Sequence, residues 1–184
     1  MSNMRTTATV EEETMEKNII AETPRLRIRE FVPEDVEALY ALYQAGDVGY
    51  VEPLSNDRDE ERKKIENYIL YAYRFYGMGF WAVEEKATGA LIGRCGIQVG
   101  EIDGTGAYEL GYLIRKDRRG KGYGKEAVRA VMTYGKSVLE IENLHVRIHE
   151  ENETSVKFIE NLGFSRKKAS VSGDNKIIIY FKKL

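Results

Sequence analysis

The chain has 184 residues, a formal charge of −2 at pH 7 and one cysteine, so it has the size of one domain with room for a short tail. The slight acidity argues against general nucleic-acid binding, and no apolar run is long enough to span a membrane. A single cysteine excludes an internal disulfide, which fits a reducing compartment, and we expect a cytoplasmic protein.

Residues 1–18 are polar and lack the apolar core of a signal peptide, so they are predicted to form a flexible extension. Beyond them, alternating apolar residues indicate strands, and apolar residues at helical spacing indicate helices. Seven strands are predicted, at residues 25–31, 80–85, 90–99, 107–115, 144–149, 164–171 and 176–181. Four helices are predicted: one begins at Pro33, and the others cover about 59–76, 126–139 and 153–162. This order predicts a mixed α/β (α+β) fold with a mostly antiparallel sheet and one right-handed crossover.

Glycines mark several of the connections. Residues 87–89 predict a hairpin between the second and third strands, and a turn containing Gly104 and Gly106 precedes the fourth. Gly163 is the predicted stop of the last helix, and residues 172–175 are predicted to join the last two strands.

Residues 115–125 are the most informative segment, because they hold six cations and three glycines between an apolar strand and a helix. Glycines let the backbone approach a ligand closely, and free N–H groups at a helix start attract anions. The segment therefore predicts a site for a phosphorylated ligand rather than a solvated basic turn.

Three kinds of phosphate-binding loop were candidates for this segment. A P-loop is excluded, because a glutamate follows Gly124 and Lys125 where a serine or threonine is required, and Arg119 stands where the first glycine belongs. A dinucleotide fingerprint matches formally at Gly122, Gly124 and Ala127, but the charged linker and the late position in the chain argue against it. The third pattern is Arg-x-x-Gly-x-Gly, which Arg119, Gly122 and Gly124 provide.

With this loop the chain resembles the GNAT N-acetyltransferase superfamily, whose acetyl-CoA pyrophosphate loop has the third pattern. The resemblance covers residues 23–181. The matching blocks resemble the ribosomal-protein N-terminal acetyltransferase branch, and they lie at residues 23–29, 108–112, 152–155 and 161–164. The resemblance implies a single GNAT-like domain at residues 19–184, with about seven strands flanked by about four helices. It also implies acetyl-CoA-dependent transfer of an acetyl group to an amine.

The resemblance further implies how acetyl-CoA is held. Backbone amides of the loop would wrap the pyrophosphate, and they belong to Arg119, Gly120, Lys121, Gly122, Tyr123, Gly124 and Lys125. The pantetheine arm would enter beside Leu113 and Ile114, where a freed amide near Leu113 would bind the oxyanion. Asn152 and Ser155 would contact the cofactor, although an asparagine at a helix start is also a good N-cap.

Glu109 is the predicted general base, because it is a carboxylate inside an otherwise apolar strand and burial would raise its pKa toward a useful range. The alternative is a structural carboxylate that pairs with Arg94 or Arg147. Gly111, on the same strand, predicts a bulge or a close backbone approach, or else a simple packing glycine.

The sequence offers one candidate proton donor for the departing thiolate. The family often has a tyrosine in the late helix, but Ile159 occupies that position here. Ser155 is the remaining candidate, and ordinary polarity of a first helical turn is the alternative. Cys95 is predicted to be a small buried hydrophobe rather than an acyl carrier. No metal site is expected, because neither histidine has metal-ligand spacing.

The acceptor side is predicted by family analogy at residues 45–57, which include Tyr50, Glu52 and Asp57. Acidic groups there would suit a cationic amine, and the alternative is a plain loop. Two other functions stay open: a non-catalytic acyl-CoA-binding or regulatory module on the same fold, and a nucleotide-binding protein. The expected partners are acetyl-CoA and an amine, without nucleic acid or membrane, in a monomer or a homodimer.

Overall fold

The computed structural model describes residues 18–44, 50–172 and 175–184. Four α-helices lie in these ranges: α1 (Val36–Gln44), α2 (Arg58–Tyr68), α3 (Tyr123–Ser137) and α4 (Glu153–Glu160). The strands are β1 (Ile19–Glu22), β2 (Leu26–Arg29), β3 (Phe80–Glu85), β4 (Ala90–Ile102), β5 (Thr105–Ile114), β6 (Asn143–His149), β7 (Ser165–Ser172) and β8 (Asn175–Lys183). The predicted extension lies outside the described residues, except Asn18, whose side-chain amide donates to Glu30.

All described strands form one sheet, in the order β1-β2-β3-β4-β5-β6-β8-β7. Every neighbouring pair is antiparallel except β5 and β6, which the α3 crossover joins and which pair at Glu109 and His145. The predicted mixed fold with a mostly antiparallel sheet is confirmed, with eight strands rather than about seven. The strand missed from the sequence is β1, whose four residues do not alternate; pairing with β2, including an ion pair between Glu22 and Arg27, holds it in the sheet.

The two faces of the central strands pack differently: one lies against α3, and the other borders a cavity. Helix α3 buries Ala127, Val128 and Val131, and it approaches β4 so closely at Gly135 that an added Cβ would crowd Ile97. Side chains alternate along a strand, so the next residue, Gln98, points to the opposite face. On that face the sheet meets α1 and α2 across a cavity, described below.

The second predicted helix is two segments rather than one. Helix α2 ends at Tyr68, and a π-helical stretch, Ile69–Phe75, follows it. The i→i+5 hydrogen bonding of a π-helix brings residues five apart nearer to one face than an α-helix does. Here those residues are Tyr68 and Tyr73, and both hydroxyls bind the backbone of Phe80: its N–H donates to Tyr68, and its carbonyl accepts from Tyr73.

The connections follow the glycines with one exception. The hairpin turn ends at Gly89, and Gly163 follows α4; both have positive φ. Strands β4 and β5 extend further than predicted, because Asp103 and Gly104, both with positive φ, form a tight two-residue connection. Gly106 therefore lies within β5 and not in the turn. The predicted last turn falls partly outside the described residues. Within the described ranges, no helix has the length and apolar character needed to cross a membrane.

Candidate active site

A cavity of about 580 Å³ lies between the α1–α2 side of the molecule and the middle of the sheet, close to the start of α4. It brings together three predicted site residues from distant parts of the chain, Glu109, Asn152 and Ser155. Other side chains on its wall include Tyr43, Tyr50, Glu52, Phe80, Arg94, Gln98, Tyr112, Arg147 and His149.

Glu109 is buried, and its carboxylate faces this cavity. Its Oε1 atom lies 3.0 Å from Nη2 of Arg147, so Arg147, and not Arg94, is its charged neighbour. The two atoms are not in hydrogen-bond geometry, and Oε1 has no hydrogen-bond partner among the residues that the structure describes. Burial raises the pKa of the Glu109 carboxyl, and the Arg147 guanidinium partly opposes that rise. The arrangement is a carboxylate of raised basicity whose Oε1 atom accepts no hydrogen bond from the described part of the chain and has the Arg147 guanidinium as its charged neighbour.

Two glycines make room for side chains of the site, Gly100 for Glu109 and Gly111 for Phe80. A Cβ at Gly100 would overlap Oε1 of Glu109, so glycine is required for the carboxylate to occupy this position. A Cβ at Gly111 would overlap the ring of Phe80, which lies against the strand there. The register between β4 and β5 runs without a shift through Gly111, so there is no bulge between these strands, and the glycine instead lets the Phe80 ring approach the strand closely.

Tyr112 brings a hydroxyl to the other side of the site, and the sequence did not single it out. Its ring packs against Phe158 of α4, with centroids 4.9 Å apart, and its hydroxyl points at the backbone carbonyl of Ser155 at 3.5 Å. Burial raises the pKa of Tyr112 to about 12, so the phenol is protonated at neutral pH. Ile159, where the family's tyrosine would stand, is fully buried in the core.

Asn152 is the N-cap of α4. Its side-chain oxygen accepts from the N–H of Ser155 at 3.1 Å, and both residues line the cavity. The cap alternative for Asn152 is therefore confirmed, and the cap also holds Ser155 at the mouth of the cavity.

The gap beside Leu113 and Ile114 arises from the way β5 and β6 pair. Glu109 and His145 are the one pair of the two strands in the described chain, so β5 has no strand neighbour on that side beyond Glu109. The side chains of Leu113 and Ile114 are both buried. The backbone edge of β5 beyond Glu109 is therefore left without a partner on this side among the described strands. A strand edge of this kind offers free N–H groups to an extended ligand.

The basic loop ends in a row of free amides. Gly122, with φ of 84°, is the N-cap of α3, and the first helical bond runs from the N–H of Glu126 to the carbonyl of Gly122. For the N–H groups of residues 120–125 the structure shows no acceptor anywhere in its described ranges. These are the donors that an anion at a helix start uses.

Two side chains of the loop, those of Arg119 and Tyr123, instead form hydrogen bonds with residues outside it. Arg119 donates from Nε to the carbonyl of Ile114 at 2.9 Å, and Tyr123 donates to Glu85 at 2.6 Å. Arg25 donates to the carbonyl of Lys121 at 3.0 Å and covers the ring of Tyr123 at 4.4 Å. The contacts fix the shape of the loop and leave its amides exposed, which is what binding a diphosphate requires.

The family model of the acetyltransferase (GNAT) domain matches residues 25–165. The chain belongs to the GNAT acetyltransferase family. The uncharacterized protein YkkB of Bacillus subtilis (strain 168) is 28% identical over 162 residues, which cover 88% of this chain and 94% of YkkB. The uncharacterized N-acetyltransferase YoaA of the same organism is 27% identical over 149 residues, covering 80% and 83%.

Solved structures of GNAT acetyltransferases share the fold. RimL, a ribosomal L7/L12 alpha-N-protein acetyltransferase solved in complex with coenzyme A, has a TM-score of 0.75 at 16% identity, over 91% of this chain and 98% of that one. A ribosomal-protein-S5-alanine acetyltransferase from Vibrio fischeri has a TM-score of 0.74 at 15% identity, over 89% and 95%. The resemblance to the GNAT superfamily, with ribosomal-protein acetyltransferases among its structural neighbours, is thereby confirmed.

The remaining predicted residues separate into those that line the GNAT cleft and those that do not. Tyr50 and Glu52 line it, and Tyr50 packs on His149 with ring centroids 5.0 Å apart. Asp57 instead caps α2 by accepting from the N–H of Asp59 at 2.8 Å, and residues 45–49 lie outside the described chain. Cys95 is fully buried, and burial raises its thiol pKa, as expected of a core residue.

Proposed function

We propose that this GNAT protein transfers the acetyl group of acetyl-CoA directly to a primary amine, with Glu109 as the general base. The observation that carries the proposal is the buried Glu109 carboxylate, which lines a cleft shared with Asn152 and Ser155 and whose Oε1 atom accepts no hydrogen bond from the described residues. A carboxylate in that setting is costly to keep charged, and binding the proton of an incoming ammonium offsets the cost.

The residues of the loop fit acetyl-CoA. Exposed amides of residues 120–125 would hold the pyrophosphate, with the cations of the loop nearby. Glu126 stands in the first turn of α3, where a free carboxylate would repel an anion, but Thr23 and Arg25 both donate to it. Asn152, Ser155 and the open edge of β5 would guide the arm that carries the thioester.

In the transfer, Glu109 takes a proton from the ammonium, directly or through a water, and the neutral amine attacks the thioester carbonyl carbon. The new C–N bond forms, and the C–S bond breaks as negative charge passes to sulfur. A freed amide on the edge of β5 near Leu113 would stabilise the intervening oxyanion. An α-amine, with a pKa of about 8, needs less help from Glu109 than a lysine side chain at about 10.4.

The hydroxyl groups of Tyr112 and Ser155 would serve the departing sulfur. A thiol titrates near 8.5, so a phenol with a pKa of about 12 donates a hydrogen bond to the thiolate rather than surrendering its proton outright. The thiolate then receives its proton by way of this hydroxyl, as the amide product gives up the second proton of the former amine.

The decisive experiment is a thiol-release screen with acetyl-CoA over diverse amines and N-terminal peptides, with acetylated product confirmed by mass spectrometry. We expect release with a subset of amines and only background hydrolysis without one. Acetyl-CoA binding without release over the whole panel would point to the non-catalytic module instead. Competition by NAD or ATP, and none by CoA, would point to a nucleotide-binding protein.

A further inference from the structure

Arg94 is a cation in the acceptor part of the cleft that the proposed reaction leaves without a role. It lies on β4 opposite Leu113 of β5 and lines the cavity. Its guanidinium lies over the ring of Phe80, 5.0 Å from the centroid, and 5.6 Å from the centroid of Tyr43. Aromatic faces hold a guanidinium in place without neutralising its charge.

Other lysine and arginine side chains of this cavity have acidic partners. Lys64 lies 3.4 Å from Glu60 and 3.8 Å from Glu61, and Arg147 lies 3.0 Å from Glu109. Arg94 makes no ion pair with any carboxylate in residues 18–44, 50–172 and 175–184. A positioned guanidinium without an ion-pair partner in a substrate cleft is suited to a planar, bidentate anion such as a carboxylate.

The support beneath Arg94 is unusually well anchored. The Phe80 backbone is held on both sides by the hydroxyls of Tyr68 and Tyr73, and its ring lies where Gly111 leaves space. The guanidinium is therefore fixed near the level of Gly111, two residues along β5 from Glu109.

We propose that Arg94, stacked on Phe80 and Tyr43, is a carboxylate-binding subsite, and that the acceptor is a primary amine that also carries a carboxylate. This inference rests on the proposed acetyl transfer. The ammonium would face Glu109 and the carboxylate would face Arg94, so the cleft matches a dipolar acceptor.

The test compares matched acceptors. An amidated tripeptide that begins with glutamate is measured against its twin that begins with glutamine, and free glutamate against free glutamine separates a peptide acceptor from an amino acid. The wild-type protein should favour the glutamate member of a pair by about 10- to 100-fold in kcat/KM, the usual range for a hydrogen-bonded charge pair. The Arg94→Gln variant should bring this ratio to about one, and Arg94→Lys should give an intermediate ratio.

Two further variants serve as controls. Lys64→Gln removes a cation of the same cavity that already has partners, and it should leave the ratio within about twofold of the wild type. Asp47 lies outside the described residues, so Asp47→Asn is measured as well. A preference that emerges only in that variant would mean that an internal carboxylate occupies the subsite, which would overturn the proposal.

The remaining outcomes distinguish failure of the carboxylate subsite from failure of the proposed acetyl transfer. No preference in the wild type, or a preference that survives in Arg94→Gln, refutes the carboxylate subsite while leaving acetyl transfer intact. Absence of thiol release with every acceptor refutes the proposed function instead. The subsite is then judged by calorimetry with the same tripeptides on the CoA-loaded protein, where tighter binding of the glutamate peptide must depend on Arg94.

Discussion

Replacing Glu109 by glutamine tests whether the carboxylate works as a base or merely balances Arg147. The substitution keeps the size of the side chain and removes its ability to accept a proton. General base catalysis contributes about 10²- to 10⁴-fold, or about 3–5 kcal/mol of the barrier, so kcat should fall by at least 100-fold. Acetyl-CoA affinity, measured by calorimetry, should stay within about twofold, because the loop and the edge of β5 are untouched.

The stability of Glu109→Gln separates the two roles. The Arg147 side chain is 42% exposed and that of Glu109 is 10% exposed, so water can hydrate the guanidinium once the carboxylate is gone. A pair with one exposed partner is worth about 0–1 kcal/mol, and for a chain of this length that shifts the Tm by at most roughly 4 °C. Burial also opposes the charge on Glu109, since it raises the pKa, so the melting temperature at neutral pH should hardly fall.

Arg147→Met is the matched variant, because it removes the charged partner and keeps Glu109. Loss of the guanidinium raises the pKa of Glu109 further, so the acid limb of the kcat/KM profile should move to higher pH. Activity should persist at alkaline pH, where Glu109 is ionised. If both variants lose the same stability and the same activity at every pH, the pair is structural and the assignment of Glu109 as base is wrong.

Three other substitutions examine the rest of the site. Tyr112→Phe should lower kcat by about 10-fold or more with acetyl-CoA binding preserved; unchanged kcat would remove the tyrosine from the thiolate step. Gly122→Ala places a Cβ at φ of 84°, which costs about 1–2 kcal/mol, and should lower the Tm by roughly 2–8 °C and weaken acetyl-CoA binding in calorimetry. Gly111→Ala should destabilise by about 1–3 kcal/mol in urea unfolding, and adding Phe80→Leu should recover part of this; no recovery would contradict the packing role.

The glycine loop and the helix start that follows it could be predicted because the residues that form them are contiguous in sequence. The strand, the glycine loop and the helix follow one another within residues 105–137, and local rules for glycines and helix starts apply directly. Asn152 as a cap was equally local, since a cap satisfies amides two or three residues further on. The position of Glu109 in an apolar strand indicated burial, and the structure places it there.

Features that depend on neighbours distant in sequence could not be predicted from local sequence rules. Strand β1 exists because β2 pairs with it, and the π-helical stretch places two tyrosines on the backbone of Phe80. Tyr112 reaches the carbonyl of Ser155, which lies 43 residues further along the chain. None of these contacts leaves a periodic signal, since each joins residues that are set together by the packing of the sheet and helices.

The cofactor end and the proposed acceptor end of the cleft are built from different kinds of groups. The amides that would hold acetyl-CoA belong to the backbone, so substitutions of most loop side chains leave them in place. The proposed acceptor end is instead made of side chains from separate segments, with Arg94 on β4, Phe80 on β3 and Tyr43 on α1. One substitution on β4 can therefore change the charge that the acceptor meets without disturbing the loop. Proteins with the same glycine loop should for this reason differ most in acceptor where the residue opposite Leu113 differs.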